Sequence, residues 1–231
     1  MPEKLPAQQQ PAAPGEDAYR WLEDVSGEKA LTWARARNAE TMKELAETTD
    51  FLRLRADLLK ILDSRERIPY VAKRGEFFYN FWRDEKNPRG LWRRTTLEEY
   101  RKADPKWELL LDLDALAKEE KENWVWGGAH GLKAGGYRHY LISLSRGGAD
   151  AEVVREFDLQ TRTFVKDGFN LPEAKGGASW INKDAVFVAT NFGPGTMTDS
   201  GYPRQVKLWK RGTPLAEAKL VYEGKQTDLS P

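Results

Sequence analysis

The sequence predicts a mainly β fold: an incomplete β-propeller of about three blades behind an N-terminal helical hairpin. Three observations carry this reading. Turn signals recur at short intervals from Asn87-Pro88-Arg89-Gly90 onward, through Ala134-Gly135-Gly136, Arg146-Gly147-Gly148-Ala149-Asp150 and Asp167-Gly168, to Gly193-Pro194-Gly195. Short runs rich in aromatic and β-branched residues fill the intervals, as strands require. The runs also recur as units, with Tyr140 and Phe187 standing 47 residues apart at equivalent places. Four short strands at a period of about 40–50 residues mark propeller blades.

Taken in order, residues 1–16 (MPEKLPAQQQPAAPGE) are Pro, Ala, Gln and charge. That composition buries too little to order itself, so a disordered leader is expected. Residues 17–64 form a helical segment. Asp24 or Ser26 is positioned to cap a first helix, along which Leu31, Ala34, Met42 and Leu45 recur at helical steps. A second helix follows Asp50, with Phe51, Leu54, Leu58, Ile61 and Leu62 on one face. Residues 65–231 carry the incomplete propeller. The stretches 67–73 and 76–83 read as strands, and 109–118 as a strand running into one helical turn. The clearest unit starts at Trp124 and contains strands 138–145, 152–159 and 163–166. A second starts at Trp180, with strands 185–191, 205–211 and 218–223. A looser copy, 76–83, 91–94 and 107–111, precedes both. Three blades cannot close a ring that needs four to eight, so a longer protein is expected.

Composition removes several functions. Thirty-seven Lys and Arg balance 36 Asp and Glu, a net charge of +1, which gives no reason to expect a nucleic-acid or anionic-membrane partner. With no Cys there is no thiolate site or Cys nucleophile, and with only His130 and His139 a multi-His metal centre is not expected. No run approaches 18 apolar residues. No phosphate-cradling glycine motif occurs, and no cofactor is expected. A nucleophile elbow needs Gly-x-Ser-x-Gly; Gly177-Ala178-Ser179-Trp180-Ile181 lacks the second Gly, so Ser179 reads as part of a turn leading into a blade. His130 and His139 read as structural. Asp112 and Asp114 sit at the spacing that puts two carboxylates on one strand face, and Lys118–Glu122 reads as a solvated run. The Arg, Lys and Trp interleaved around 81–94 read as a charged blade rim.

Two stretches carry a likeness. The opening Asp17-Ala18-Tyr19-Arg20-Trp21-Leu22-Glu23-Asp24, followed by the helical WARARN of 33–38, resembles the start of prolyl oligopeptidase-family serine peptidases. The phrases Ser145-Arg146-Gly147-Gly148-Ala149-Asp150, Phe157-Asp158-Leu159, 167–175 and Ser200-Gly201-Tyr202-Pro203-Arg204 are similar to the propeller of bacterial members. The likeness covers about 17–228.

It implies that the N-terminal helices pack on a C-terminal α/β-hydrolase domain, which the propeller caps while admitting peptides and excluding folded proteins. It further implies that Tyr19, Arg20, Trp21, Leu22, Glu23 and Asp24 form a docking motif. The family's catalytic Ser, Asp and His belong to the hydrolase domain, so no residue here is assigned a catalytic role and the chain alone is expected to be inactive. A cytoplasmic location is expected, or a periplasmic one behind an upstream signal. The competing expectation is a free-standing, non-catalytic binding module that completes its ring by oligomerising.

Overall fold

A computed structural model describes residues 17–64 and 66–229. The expected disordered leader, 1–16, lies outside the described residues. The chain divides into two units after Leu62.

In the first unit a single 3-10 turn, Arg20–Glu23, precedes helix α1, Glu28–Thr41. A wide π-type turn, Met42–Ala46, then leads to helix α2, Thr49–Leu62. The caps differ from those read in the sequence. Gly27 occupies the N-cap of α1 without a side-chain hydrogen bond, and a Cβ there would fall 2.4 Å from Oδ2 of Asp24, so the carboxylate crowds the cap instead of bonding to it. At α2 the cap is Thr48, whose Oγ1 accepts from the Phe51 amide (3.3 Å). Asp50 stands inside the first turn, where its charge complements the helix dipole. The predicted apolar face of α2 exists but is open: Phe51, Leu54, Leu58 and Ile61 are 44–65% exposed.

The second unit holds three antiparallel sheets in succession. The first is β1 (Ala72–Arg74), β2 (Phe77–Trp82), β3 (Leu91–Thr96) and β4 (Glu108–Asp112). The second is β5 (Trp124–Gly131), β6 (His139–Arg146), β7 (Glu152–Asp158) and β8 (Thr163–Phe164), with β9 (Asn170–Ala174) also on β7. The third is β10 (Gly177–Asn182), β11 (Ala185–Ala189), β12 (Gln205–Lys210) and β13 (Lys219–Glu223). These are the three expected blades.

Each blade differs in detail from the sequence reading. In the first, the strand expected over 67–73 is Ala72–Arg74, because β1 leaves β2 beyond Tyr79. The expected single helical turn after β4 is an eight-residue helix, α4 (Leu113–Glu120). Its register explains the extra length: Leu113, Leu116 and Ala117 are buried at helical spacing beneath the sheets. A short helix, α3 (Leu97–Tyr100), follows β3 and is capped by Thr96. In the second blade, β9 went unread because Pro172 and flanking polar residues mask it; β8 and β9 lie end to end along β7.

Two cores separate the three sheets. Tyr79, Trp92 and Leu110 of the first meet Tyr140, Ile142, Leu144 and Phe157 of the second. Leu141, Val154, Phe169 and Leu171 of the second meet Val186, Val188 and Trp209 of the third. Strand β6 is therefore covered on both faces, which is why 140–144 is almost wholly apolar.

Candidate functional site

The first strand of each sheet carries small residues among larger ones. They are Ala72 on β1; Gly127, Gly128, Ala129 and Gly131 on β5; Gly177 and Ala178 on β10. A Cβ at Gly131 would lie 2.8 Å from the Tyr140 ring. At Gly176, just before β10, φ is +130° and a Cβ would meet the Ala189 carbonyl oxygen at 2.1 Å, so both backbone and space demand glycine. The Trp180 indole N–H donates to the His130 carbonyl (2.8 Å), tying first strand to first strand. The first strands of the second and third sheets, β5 and β10, are thus joined directly.

Charge is distributed around this frame by pairing. Glu156 on β7 is fully buried. It accepts both terminal nitrogens of Arg211, just past β12, at 2.9 and 3.0 Å, and the Phe169 amide at 2.9 Å. The second and third sheets are therefore locked by one bidentate pair. His139 Nδ1 stands 3.0 Å from Glu156 Oε1 without the alignment of a hydrogen bond. Arg93 lies between the Trp82 and Trp107 rings, 4.6 and 4.2 Å from their centroids, and donates Nε–H to Asn80 (2.8 Å). Burial pulls its guanidinium down to about 10, opposed by the Asp84 charge.

Asp158 accepts a forked pair from Arg138, Nε–H to Oδ1 at 3.0 Å and Nη2–H to Oδ2 at 2.6 Å. That pairing, chiefly, holds its carboxyl below the ordinary 3.8, with the Gln160 amide helping and burial opposing. A depressed carboxylate stabilises the fold above its unfolded value and loses that contribution as pH falls through the folded value. Asp158→Asn is therefore expected to cost some stability at neutral pH, a modest amount because Arg138 is half exposed. It should flatten the fall in melting temperature below about pH 4, as thermal unfolding across pH 2–6 would show.

The residues singled out in the sequence come to separate places. Asp112 caps α4, accepting from the Ala115 amide (2.9 Å). Asp114 accepts the amides of Arg89 and Gly90 (3.1–3.3 Å), fixing the β2–β3 turn. The two carboxylates thus terminate backbone and do not share a strand face. The run 118–122 is also not simply solvated: Glu120 holds Arg155 and the Trp124 indole, and Glu122 pairs with Arg146. Ser179 lies within β10 opposite Phe187, not in a turn. His130 is a β5 residue with its side chain exposed. Among the described residues no three His, Asp or Glu side chains gather into a metal site. In the first unit, Arg20–Glu23 form the 3-10 turn, and Trp21 meets Trp33 edge-on at 6.2 Å under Lys29. Sequence reasoning missed Glu156 and Arg211, because each sits beside another charge, Arg155 and Lys210, and only their meeting across 55 positions sets them apart.

The family profile described as the prolyl oligopeptidase N-terminal β-propeller domain matches residues 4–230. The chain belongs to the prolyl oligopeptidase family. An uncharacterized peptidase of Sinorhizobium fredii is 41% identical over 216 residues, 93% of this chain and 30% of the relative. One of Rickettsia prowazekii is 34% identical, over 88% of this chain and 29% of its own length. A post-proline cleaving enzyme from Rickettsia typhi superposes with a TM-score of 0.85 at 35% identity, over 91% of this chain and 32% of the enzyme. Oligopeptidase B from Leishmania major shares the fold, with a TM-score of 0.68 at 16% identity. The chain thus spans about 30% of the length of the curated relatives it matches. In this prolyl oligopeptidase-family chain, the three sheets are propeller blades.

Proposed function

We infer that this chain is the portion of a prolyl oligopeptidase-type serine peptidase that caps an α/β-hydrolase domain and filters access to it. The observation that carries the reading is the superposition on the Rickettsia typhi enzyme over 91% of the chain. The partner is a catalytic domain, and the substrates are peptides short enough to pass the propeller. The first unit docks on that domain through the exposed apolar face of α2 and the Tyr19–Asp24 turn, since an open face of this size calls for a cover. Hydrolysis then proceeds by acyl transfer to water through a serine of that domain.

Two measurements test the reading. The purified 231-residue chain should not hydrolyse proline-containing chromogenic peptides. Turnover that persists after contaminating serine peptidases are blocked would overturn the assignment. In a chimera where this chain replaces the matching portion of the Rickettsia typhi enzyme, short peptides should be cleaved and folded proteins spared. A chimera that cleaves both alike would remove the filtering role.

A further inference from the structure

Both seams between the sheets carry the same kind of charge pair, set in the same order. At the first, Arg162, in the turn after β7, donates to Glu108 of β4 at 2.5 Å. At the second, Arg211, just past β12, holds Glu156 of β7. Each time the carboxylate comes from the earlier sheet. The guanidinium comes from the later one, out of the turn that follows its third strand.

The first sheet has a third-strand arginine of its own, and it faces the other way. Tyr79 of β2 and Trp92 of β3 meet the second sheet. Side chains alternate along a strand, so Asn80, Trp82 and Arg93 lie on the opposite face. There Arg93 is held between the Trp82 and Trp107 rings, with its Nε–H on Asn80, a residue only 5% exposed. Its two terminal nitrogens have no hydrogen-bond partner among the described residues, and no carboxylate pairs with it there. Burial disfavours its charge, and Asp84, already engaged by the Trp82 indole and Asn87, offsets this only from a distance. Arg67, also over the Trp82 ring, differs: its donors go to the Ser64 and Arg83 carbonyls.

The surround is apolar and open. Leu109, opposite Arg93 on the β3–β4 ladder, is 43% exposed. Ile68, Tyr70, Asn80 and Trp82 line a hollow of about 590 Å³ on the same face. An oriented, half-buried guanidinium with both terminal nitrogens free presents the fork that a carboxylate fits. We propose that the outer face of the first sheet docks a further sheet of the same kind, and that a Glu or Asp on that sheet takes both terminal nitrogens of Arg93. The order of the two seams supports this occupant, because the first sheet would stand on the later side, which supplies the arginine. So does the count, since three sheets do not close a ring. A second copy of this chain fits less well. Its third sheet has Leu208 opposite Phe187 where the second sheet has Glu156 opposite Leu141, so it brings no carboxylate to that place. The inference rests on the reading that this chain is one part of a longer peptidase.

The test compares the 231-residue chain with the Rickettsia typhi chimera by hydrogen exchange. Amides of β2 and β3 should exchange at least about tenfold more slowly in the chimera, where the face is covered. Arg93→Gln should change those rates by less than about twofold in the 231-residue chain, and should speed them at least about fivefold in the chimera, where a buried pair is broken from one side. Arg93→Asp should do the same in the chimera, and changing one acidic residue of the newly protected enzyme segment to Arg should restore the protection. No added protection in the chimera, equal effects of R93Q in the two proteins, or no acidic residue that rescues the swap would overturn the proposal. Protection of β2 and β3 that grows with the concentration of the 231-residue chain would assign the face to a second copy and overturn it as well. Cleavage of peptides or proteins enters none of these readouts, so a chimera that filters normally yet leaves Arg93 unpaired separates this failure from failure of the filtering role.

Discussion

Replacing Glu156 with alanine is expected to destabilise the propeller unit by about 3–5 kcal/mol, the range for breaking a buried ion pair from one side. The carboxylate is fully buried, and three donors converge on it: both terminal nitrogens of Arg211 and the Phe169 amide. Removing it strands all three. Arg211 retains some contact with water, being 30% exposed, which favours the lower half of that range. Glu156→Gln keeps the shape and one acceptor, and should cost less. The diagnostic comparison is the double variant Glu156→Leu with Arg211→Leu, which removes both charges together. It should recover most of the loss, since apolar replacement of a whole buried pair is often neutral or favourable. Denaturant midpoints for the four proteins decide the matter. A loss below about 1 kcal/mol in the alanine variant would show that the pair does not lock the second blade to the third.

Trp92→Ala is the second large effect, with an expected loss of about 3–5 kcal/mol. Trp92 is 4% exposed, and its ring centroid lies 4.9–5.9 Å from those of Tyr79, Trp126, Tyr140 and Phe157. Its deletion opens a cavity whose walls belong to both blades, so collapse around it is resisted from two sides. Register shifts beside Trp92 on β3 and beside Trp126 on β5, so the local backbone is already bent around these rings. Trp92→Phe should cost distinctly less. Equilibrium unfolding together with near-ultraviolet circular dichroism reads both changes. A fall under about 1.5 kcal/mol would mean that the aromatic cluster is not the centre of that core. Because Glu156 and Trp92 serve different cores, their effects are expected to add.

The blade order was legible because its physical signal is local. Short apolar runs along 138–145 and 185–191, with glycine turns between, write strand and turn directly into short windows. Tyr140 and Phe187 could be aligned on that basis alone. What escaped was whatever depends on distant partners. Glu156 sits in EVVREFD directly after Arg155 as one charge among four, and only its meeting with Arg211, 55 residues on, makes it a buried lock. Asp112 and Asp114 matched the spacing of two carboxylates on one strand face, yet helix and turn amides claimed them first. The start of α2 was read two residues late, because Thr48 and Asp50 are both competent caps and backbone geometry alone selects between them. In the first core, Tyr79 and Tyr140 come from different blades 61 positions apart, and nothing in either neighbourhood announces their contact.

Every ladder in the propeller unit joins strands that follow one another in the sequence, apart from the short addition of β9 to β7. No blade borrows a strand from another among the described residues. During vectorial synthesis on a ribosome, each blade can therefore complete its hydrogen bonding before the next has been translated, since short separations close quickly. The slow event left over is the docking of finished blades, when Glu156 must give up its water and find Arg211.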